Sequence, residues 1–368
     1  MTFDPTEIES LKARWLLSAV FRRCGVRTSG GAGRVHWCLC PWHQESTASC
    51  KIDDFKGFYF CFGCGESGDA LDAVMQLTGC SFSDAVNRLG GVRSVSATDR
   101  VALEKKRKDQ DAFAQLERVR NWLSYRKAWS NYRPVFGTPV ELYLRARGIP
   151  ASADWTFDLR YGVLVYRGYS DASAQSTEPL GSYAAMVAAI RNAAGDIIGL
   201  HRTYLNEDGT KLSPPGDEMR NRSKKILGES KGGLIWLSRP CARICVGEGI
   251  ETTRSWLVLH SEQEPETGAC SGISLGNLGG RCTATLPHPK HKGMRVPNGI
   301  PDLEQPGIVW PEITKEILFL GDGDSDYAIT SARLMSALRR AVAQGKTCFR
   351  HFAPEGMDFN DELRSETT

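Results

Sequence analysis

The chain has 368 residues, of which 41% are hydrophobic and 24% are charged, and its net charge is +3. This composition is typical of a folded protein with room for two or three domains, and it excludes wholesale disorder and collagen-like repeats. No run of about 18 apolar residues predicts a membrane span, and the start MTFDPTEIESLKARW lacks the basic and apolar parts of a signal peptide. We therefore expect a cytoplasmic protein with no membrane partner.

The N-terminal part combines helical and strand-like patterns. Apolar residues recur at three- and four-residue steps from Ile8 to Ala19, which predicts a helix over residues 1–23. Short strand-like segments follow from Val35 to Tyr59, and a second helical pattern covers residues 68–89. Small polar residues at 92–100 predict a linker. We expect residues 1–94 to form one domain.

Two pairs of metal-binding side chains lie within the strand-like segment, each with two residues between its members. The four residues are Cys40, His43, Cys61 and Cys64. This spacing places four sulfur and nitrogen donors on two tight turns, which predicts a closed, structural zinc site of a zinc-ribbon-like β module. Two neighbouring cysteines, Cys38 and Cys50, remain alternatives to one of the four.

These motifs resemble the zinc-binding domain of bacterial and phage DNA primases. The segment CPWHQESTASCKI provides the Cys-Pro-x-His part of the pattern, and FYFCFGCGESGDALD provides an aromatic strand, Cys-Phe-x-Cys-Gly and a Gly-Asp pair. The resemblance covers about residues 35–72. It implies that this domain helps to select the initiation site on single-stranded DNA template.

The segment 95–135 is basic and rich in aromatic residues, and we expect a helical linker. Nine Lys or Arg stand against four acids between Val101 and Arg133. Four aromatic residues fall at three- and four-residue steps and form one stripe on a helix: Trp122, Tyr125, Trp129 and Tyr132. The stripe either faces a hydrophobic core or forms a nucleic-acid track in which rings stack on bases.

Residues 136–240 predict a mixed α+β part with basic loops. The segment YAAMVAAIRNAAGDIIGLHRTYL at 183–205 is typical of a β-hairpin that turns around residues 192–196. A polar loop and the basic run RNRSKK at 220–225 follow.

From residue 241 the pattern is α/β, of a Rossmann-like kind, and three acidic clusters follow predicted strands. Glu248 comes after ARICVG, Asp322 and Asp324 come after LFLG, and Asp358 follows TCFRHF. Residues just past the carboxyl ends of strands gather in one crevice of an open α/β sheet. Carboxylate oxygens suit Mg²⁺ or Mn²⁺, although loop acids that are merely solvated remain an alternative.

A glutamate-glycine pair after one strand and Asp-x-Asp after a later one resemble the Toprim domain of primases, topoisomerases and some nucleases. The resemblance implies that Glu248 acts as general acid or base and that Asp322 and Asp324 bind divalent metal. Asp358 is the next candidate ligand, with Asp361 behind it. Cellular primases place an aspartate four residues after the glutamate, where this chain has Thr252. EGIETT is closer to primases of phages and mobile elements, and Glu251 is a candidate substitute.

The segments GLHRTYLNEDGTKL and NRSKKILG resemble the basic subdomain that precedes Toprim in primases. Five cations there are candidates for contact with template phosphates or a triphosphate: Arg202, Lys211, Arg222, Lys224 and Lys225. The loop 281–295 is basic and contains His288 and His291. We expect it to be a mobile insertion, with a second metal site as a minor alternative.

The leading hypothesis is a DNA primase of a phage or mobile element, in a bacterial cell or a phage-infected host. It would make short RNA primers from nucleoside triphosphates on single-stranded DNA by metal-dependent nucleotidyl transfer. No ATPase motor motif occurs, since Gly345-Lys346-Thr347 follows a helix, so we expect a separate helicase as partner. The alternatives are a Toprim-type nuclease and a non-catalytic single-stranded-DNA-binding accessory protein.

Overall fold

The computed structural model describes residues 3–29, 35–42, 48–61, 66–91, 97–150, 152, 157–171, 177–291 and 295–366. The fold is mixed α+β, with two compact units, Met1–Gln115 and Leu116–Thr368. The helix α5, Ala97–Ser130, contains the boundary between them. The finer division at residues 94, 135 and 240 stays a prediction. No described helix is long and apolar enough to cross a membrane.

The first unit packs helices around a small antiparallel sheet. Its elements are α1 Pro5–Ala13, α2 Leu17–Arg23, β1 Val35–Cys38, β2 Cys50–Asp53, β3 Phe58–Cys61, β4 Ser67–Gly68, α3 Ala70–Thr78 and α4 Phe82–Arg88. The strands lie in the order β1-β2-β3-β4. Burial alternates along β1 and β3, so every second side chain enters the core. The predicted single N-terminal helix is two helices, because Leu16 is extended and begins α2.

The second unit contains two larger sheets. The first is antiparallel, in the order β5-β6-β7-β8, and it follows the short helix α6. These elements are α6 Pro139–Arg145, β5 Leu159–Gly168, β6 Glu178–Arg191, β7 Ile197–Leu205 and β8 Lys224–Gly228. Strands β6 and β7 pair over most of their length and turn at residues 192–196. The predicted hairpin is confirmed.

The other sheet of this unit has five strands in the order β15-β14-β10-β11-β9, parallel except for β9. Its elements are β9 Ile235–Trp236, β10 Arg243–Gly247, α7 Ile250–Leu259, β11 Gly268–Ser271, α8 Leu275–Gly279, β14 Glu316–Gly321, α9 Tyr327–Val342, β15 Thr347–Phe352 and α10 Phe359–Glu366. A two-stranded hairpin, β12 Thr285–Pro287 with β13 Arg295–Pro297, lies between α8 and β14. The expected mobile insertion therefore contains paired strands.

One hydrophobic core joins the two sheets of the second unit. It contains Leu159 of β5, Ala188 of β6, Cys245 of β10 and Phe359 of α10, all fully buried. This core holds the edge of the antiparallel sheet beside the carboxyl ends of β10 and β14. Basic side chains of and beside the antiparallel sheet and acidic side chains that follow these strands therefore line one cleft.

The aromatic stripe, which lies at the C-terminal end of α5 and just beyond it, packs within the second unit. Tyr125, Trp129 and Tyr132 contact the core cluster of the antiparallel sheet, and Trp122 contacts the larger core. A Cβ atom at Gly162 would lie 2.7 Å from the Tyr132 ring, so the absent side chain is what lets this ring approach. These contacts favour the core-facing interpretation of the stripe over the nucleic-acid track.

Candidate active site

The candidate active site is a cleft of about 450 Å³ within the second unit. Acids that follow strands of the parallel sheet line it, together with a cation just after α6, cations of and beside the antiparallel sheet, and charged residues of α10. The charged residues that line it are Arg147, Lys211, Lys224, Glu248, Glu251, Asp322, Asp358, Asp361 and Arg364. The crevice inferred from the strand ends is thus present, with both charge types in it.

Glu248 and Asp322 lie directly after β10 and β14, as the sequence pattern predicts. Burial raises the pKa of Glu248 despite a hydrogen bond from the backbone N–H of Leu275. Burial also raises the pKa of Asp322, to about 7, and the nearby charges of Asp358, Glu248 and Asp324 add to the shift. The surroundings of each carboxylate therefore disfavour its charged form, chiefly because the group is buried.

The donor set at Asp322 fits a divalent cation. Its Oδ1 atom is buried and has no hydrogen-bond partner among the described residues, while Oδ2 accepts a bond of 3.4 Å from the Thr252 hydroxyl. A cation between these acids would relieve their mutual repulsion and satisfy the orphaned oxygen. Within the described residues, no three carboxylates of this group have oxygens within 4.8 Å of one another, so one ion would be held by fewer than three of them unless they move closer.

The other two predicted metal ligands have distinct surroundings. Asp324 is exposed and does not line the cleft, although its charge affects Asp322 and Glu248. Asp358 lines the cleft and also begins α10, where its Oδ1 accepts a 2.7 Å bond from the backbone N–H of Asp361. The assignment of all four as ligands stays a proposal.

The register of the antiparallel sheet separates the five predicted cations. Lys224 pairs with Thr203, and the cleft is lined by Lys224 and by Lys211. Lys225 pairs with Arg202 on the opposite face of the strand, and its Nζ lies 4.2 Å from the ring centre of Tyr166. Neither of these two lines the cleft, and neither does Arg222. Two of the five thus meet the acids.

Sequence reasoning missed several cleft residues. Arg147 follows α6, and its guanidinium stacks 3.9 Å from the ring centre of Tyr143. His201 is buried on β7, and burial and the charge of Lys224 lower its pKa to about 4, so it is neutral. Arg364 lies on α10. Arg147 and Arg364 belong to no recognisable motif, and His201 lies within the segment GLHRTYLNEDGTKL but was not among the candidates; the elements that carry the three residues converge only after folding.

A backbone distortion also lines the cleft. Ile273 has a φ angle of 73°, a left-handed conformation that is costly for a β-branched residue. The Ser271 hydroxyl supports this turn, since it accepts a bond from the Ile273 N–H and donates one of 2.8 Å to the Glu248 carbonyl. The strained turn is therefore tied to the backbone of Glu248.

His288 and His291 of the loop 281–295, the place of the minor alternative of a second metal site, lie with Asp326 so that three ligand-type atoms are within 4.8 Å of one another. The Nδ1 atom of His288 accepts 3.0 Å bonds from the backbone N–H groups of Lys290 and His291. The proton of the neutral ring is therefore on Nε2, which donates a 2.9 Å bond to Asp326. A metal ion on Nε2 would require the ring proton to be on Nδ1, where it would face the two backbone N–H groups that now donate to that atom. The geometry favours a hydrogen-bonded anchor.

In the first unit, two of the four predicted zinc ligands are described. Cys40 and Cys61 are buried, and their sulfurs contact the backbone N–H of Trp42 at 3.4 Å and the hydroxyl of Ser49 at 3.1 Å. His43 and Cys64 lie outside the described residues. Polar contacts to sulfur suit thiolate ligands, so Cys40 and Cys61 fit a zinc site.

The two spare cysteines are neighbours on paired strands. Cys38 lies opposite Cys50, and Cys50 lies opposite Cys61. A hydrogen bond with Cys38, together with burial, raises the pKa of the Cys50 thiol. The choice between these two cysteines and the four predicted ligands stays a prediction.

Comparison with known families identifies the N-terminal part. Residues 4–107 match the CHC2 zinc finger, so structural zinc is the metal of this unit. Residues 120–237 match a domain of unknown function, DUF7146.

Curated relatives are DNA primases. The Deinococcus radiodurans DNA primase is 34% identical over 137 residues, which cover 36% of this chain and 21% of the relative. The Streptomyces coelicolor DNA primase is 27% identical over 233 residues, which cover 55% of this chain and 35% of the relative. The matched region thus spans about a fifth to a third of these relatives.

Solved structures give distant likenesses. The zinc-binding and RNA polymerase domains of the Aquifex aeolicus primase are 17% identical, with a TM-score of 0.38, over 98% of this chain and 82% of that chain. The primase fragment of the bacteriophage T7 primase-helicase is 14% identical, with a TM-score of 0.35, over 88% and 93%. The sequence matches therefore show that residues 4–107 are similar to the CHC2 zinc finger and that parts of the chain are similar to bacterial DNA primases.

Proposed function

We propose that this protein is a DNA primase that makes short RNA primers on single-stranded DNA. The observation that carries the proposal is the cleft of the second unit, where carboxylates suited to divalent metal face Lys211, Lys224 and Arg147. A nucleoside triphosphate needs both metal and cations around its phosphates. The kinship with bacterial primases supports the same reaction.

Each group would have a defined role. Glu248, Asp322, Asp324 and Asp358 would hold Mg²⁺ or Mn²⁺, which when bound polarises the phosphate and favours ionisation of the attacking 3′-hydroxyl. Glu248 is the candidate general acid or base, and burial raises its pKa above the usual value of a glutamate, which favours the protonated form. Lys211 and Lys224 would bind the polyphosphate, and the zinc finger would engage the template.

The biological setting is part of the proposal. The EGIETT motif supports use by a phage or mobile element. A separate helicase would supply single-stranded template, and the solved DnaG catalytic domain bound to single-stranded DNA is a precedent for that ligand in a distant relative.

The test is primer synthesis by the full chain on single-stranded DNA with four nucleoside triphosphates and Mg²⁺ or Mn²⁺. We expect labelled short RNA from the native chain and a loss of at least about a hundredfold in Glu248→Gln and in the double variant Asp322→Asn/Asp324→Asn. Exposed Glu262→Gln is the matched control. Absence of primers from the native chain would contradict the proposal, and DNA cleavage without nucleotides would support the nuclease alternative.

A further inference from the structure

Glu251 makes a closed set of contacts inside the cleft. It lies in the first turn of α7, and its side chain is 11% exposed. Oε1 accepts bonds from the Tyr143 hydroxyl and from Lys224 Nζ, the latter at 3.1 Å, and Oε2 accepts from the same Nζ at 3.2 Å. Both carboxylate oxygens are thus engaged with donors, unlike those of Asp322.

The charge of Glu251 is stable in this setting. Burial favours the neutral acid, but the Lys224 ammonium and the Tyr143 hydroxyl outweigh it and lower the pKa of Glu251 to about 2. The carboxylate is already compensated by a fixed cation. Asp322, by contrast, is compensated by no described cation at hydrogen-bonding distance and is surrounded by acids.

Lys224 gains a defined position from this pair. Its side chain is 40% exposed, and it reaches the cleft from the edge strand β8. A lysine carries a flexible four-carbon stem with about 2 kcal/mol of rotamer entropy, so an anchoring carboxylate pre-organises its ammonium. Two of the three ammonium protons can serve Glu251, which leaves one for a ligand in the cleft.

Tyr143 links this pair to a second cation. Its hydroxyl donates to Glu251, while the face of its ring contacts the Arg147 guanidinium at 3.9 Å. The ring is fully buried, and it therefore offers a rigid support. Lys224 and Arg147 both line the cleft that Glu248, Asp322 and Asp358 also line. One tyrosine-glutamate pair thus orients two cations.

We propose that Glu251 and Tyr143 are positioning residues that hold Lys224 for the polyphosphate of a nucleotide, and that Glu251 is not a ligand of the divalent metal. The identity of the polyphosphate as a nucleoside triphosphate rests on the proposed function. Removal of the charge of either Glu251 or Lys224 alone would change the electrostatic potential of the cleft and so alter anion binding by itself. The informative substitutions are therefore those that keep the net charge of the cleft.

The first experiment measures binding of inorganic tripolyphosphate to the full chain without metal, by calorimetry at low salt. Tyr143→Phe and Glu251→Asp keep the net charge but remove or shorten the contacts. We expect each to weaken binding roughly fivefold, about 1 kcal/mol. In a Lys224→Met background the same two changes should have no further effect, because they act through that lysine. Undiminished binding, or full additivity with Lys224→Met, would overturn the proposal.

The second experiment measures binding of Mn²⁺ alone. The double variant Glu251→Gln/Lys224→Met removes the pair without changing net charge, and the exposed pair Glu262→Gln/Lys231→Met is its matched control. We expect both to bind Mn²⁺ within about twofold of the native chain, whereas Asp322→Asn weakens it about tenfold or more. A tenfold loss in the first double variant would make Glu251 a ligand.

Neither readout depends on primer synthesis, so failure of the proposed reaction and failure of this inference are distinguishable. Circular dichroism of each variant reports whether it folds. If Tyr143→Phe does not fold, the double-mutant cycle of Glu251→Asp with Lys224→Met tests by itself whether Glu251 acts through Lys224.

Discussion

At the residue scale, Asp322 is suited to bind a metal ion, but its negative charge destabilises the metal-free fold. Its buried oxygen lacks a partner among the described residues, and its pKa is raised to about 7, against about 3.9 in an unfolded chain. Below about pH 4 this carboxyl is protonated in both the folded and the unfolded state, and the free energy of unfolding is at its highest with respect to this group. As the pH rises toward 7 the unfolded chain loses the proton first, so the free energy of unfolding falls. Between these values the metal-free fold becomes progressively less stable.

We therefore expect Asp322→Asn to stabilise the metal-free protein at pH 8, by up to about 4 kcal/mol for a pKa difference of about three units, and to have little effect at pH 4. Urea unfolding at both pH values measures the difference. Saturating Mn²⁺ should raise the stability of the native chain at pH 8 by more than that of the variant, with a difference of about 1.4 kcal/mol or more for a site at least tenfold weaker. Exposed Asp324→Asn is the comparison within the same loop, and a variant that is less stable at pH 8 would contradict this account.

At the element scale, the sequence predicts the cleft because strand ends follow a topological rule. Glu248 and Asp322 follow apolar runs, and the carboxyl ends of parallel strands lie at one edge of the sheet. The faces of Lys224 and Lys225 were not predictable, since they depend on the register of β7 with β8. The Tyr143 contact with Glu251 joins residues 108 positions apart and leaves no local signal.

The same distinction holds for the helices. Periodicity located the aromatic stripe of α5, but its partner is a glycine on β5 that no periodic pattern marks. The N-terminal pattern predicted one helix because apolar spacing continues through Leu16, whereas the extended backbone there begins a new one. Local patterns specify which residues are buried, and tertiary contacts decide where an element breaks and what it packs against.

The packing of α5 on the antiparallel sheet gives a prediction about Gly162. A methyl group there would lie 2.7 Å from the Tyr132 ring, below any normal contact. We expect Gly162→Ala to destabilise the second unit by about 1–3 kcal/mol, because the ring or the strand must shift. Gly276→Ala is the control, since its Cβ would meet no atom nearer than 3.8 Å. Urea unfolding compares the two, and equal stabilities would show that the stripe is loosely packed.

At the scale of the whole molecule, the two units have separate hydrophobic cores in the described residues. One core cluster lies entirely in the first unit, from Ile8 to Leu89, and the other three lie entirely in the second. Separate cores can unfold separately. The first unit is small, and binding of a structural zinc contributes about 10–16 kcal/mol in isolated fingers, which is as large as the stability of a typical domain.

Removal of zinc should therefore unfold the first unit and spare the second. We expect chelation, or Cys61→Ser, to abolish amide protection in β1, β2 and β3 while the strands β10 and β14 keep theirs, as measured by hydrogen exchange with peptide resolution. Cys80→Ser, a partly buried cysteine outside the zinc motif, is the matched control and should leave both units protected. Loss of protection in β10 and β14 after chelation would show that the second unit depends on the first, because its own core would then be insufficient to hold the cleft.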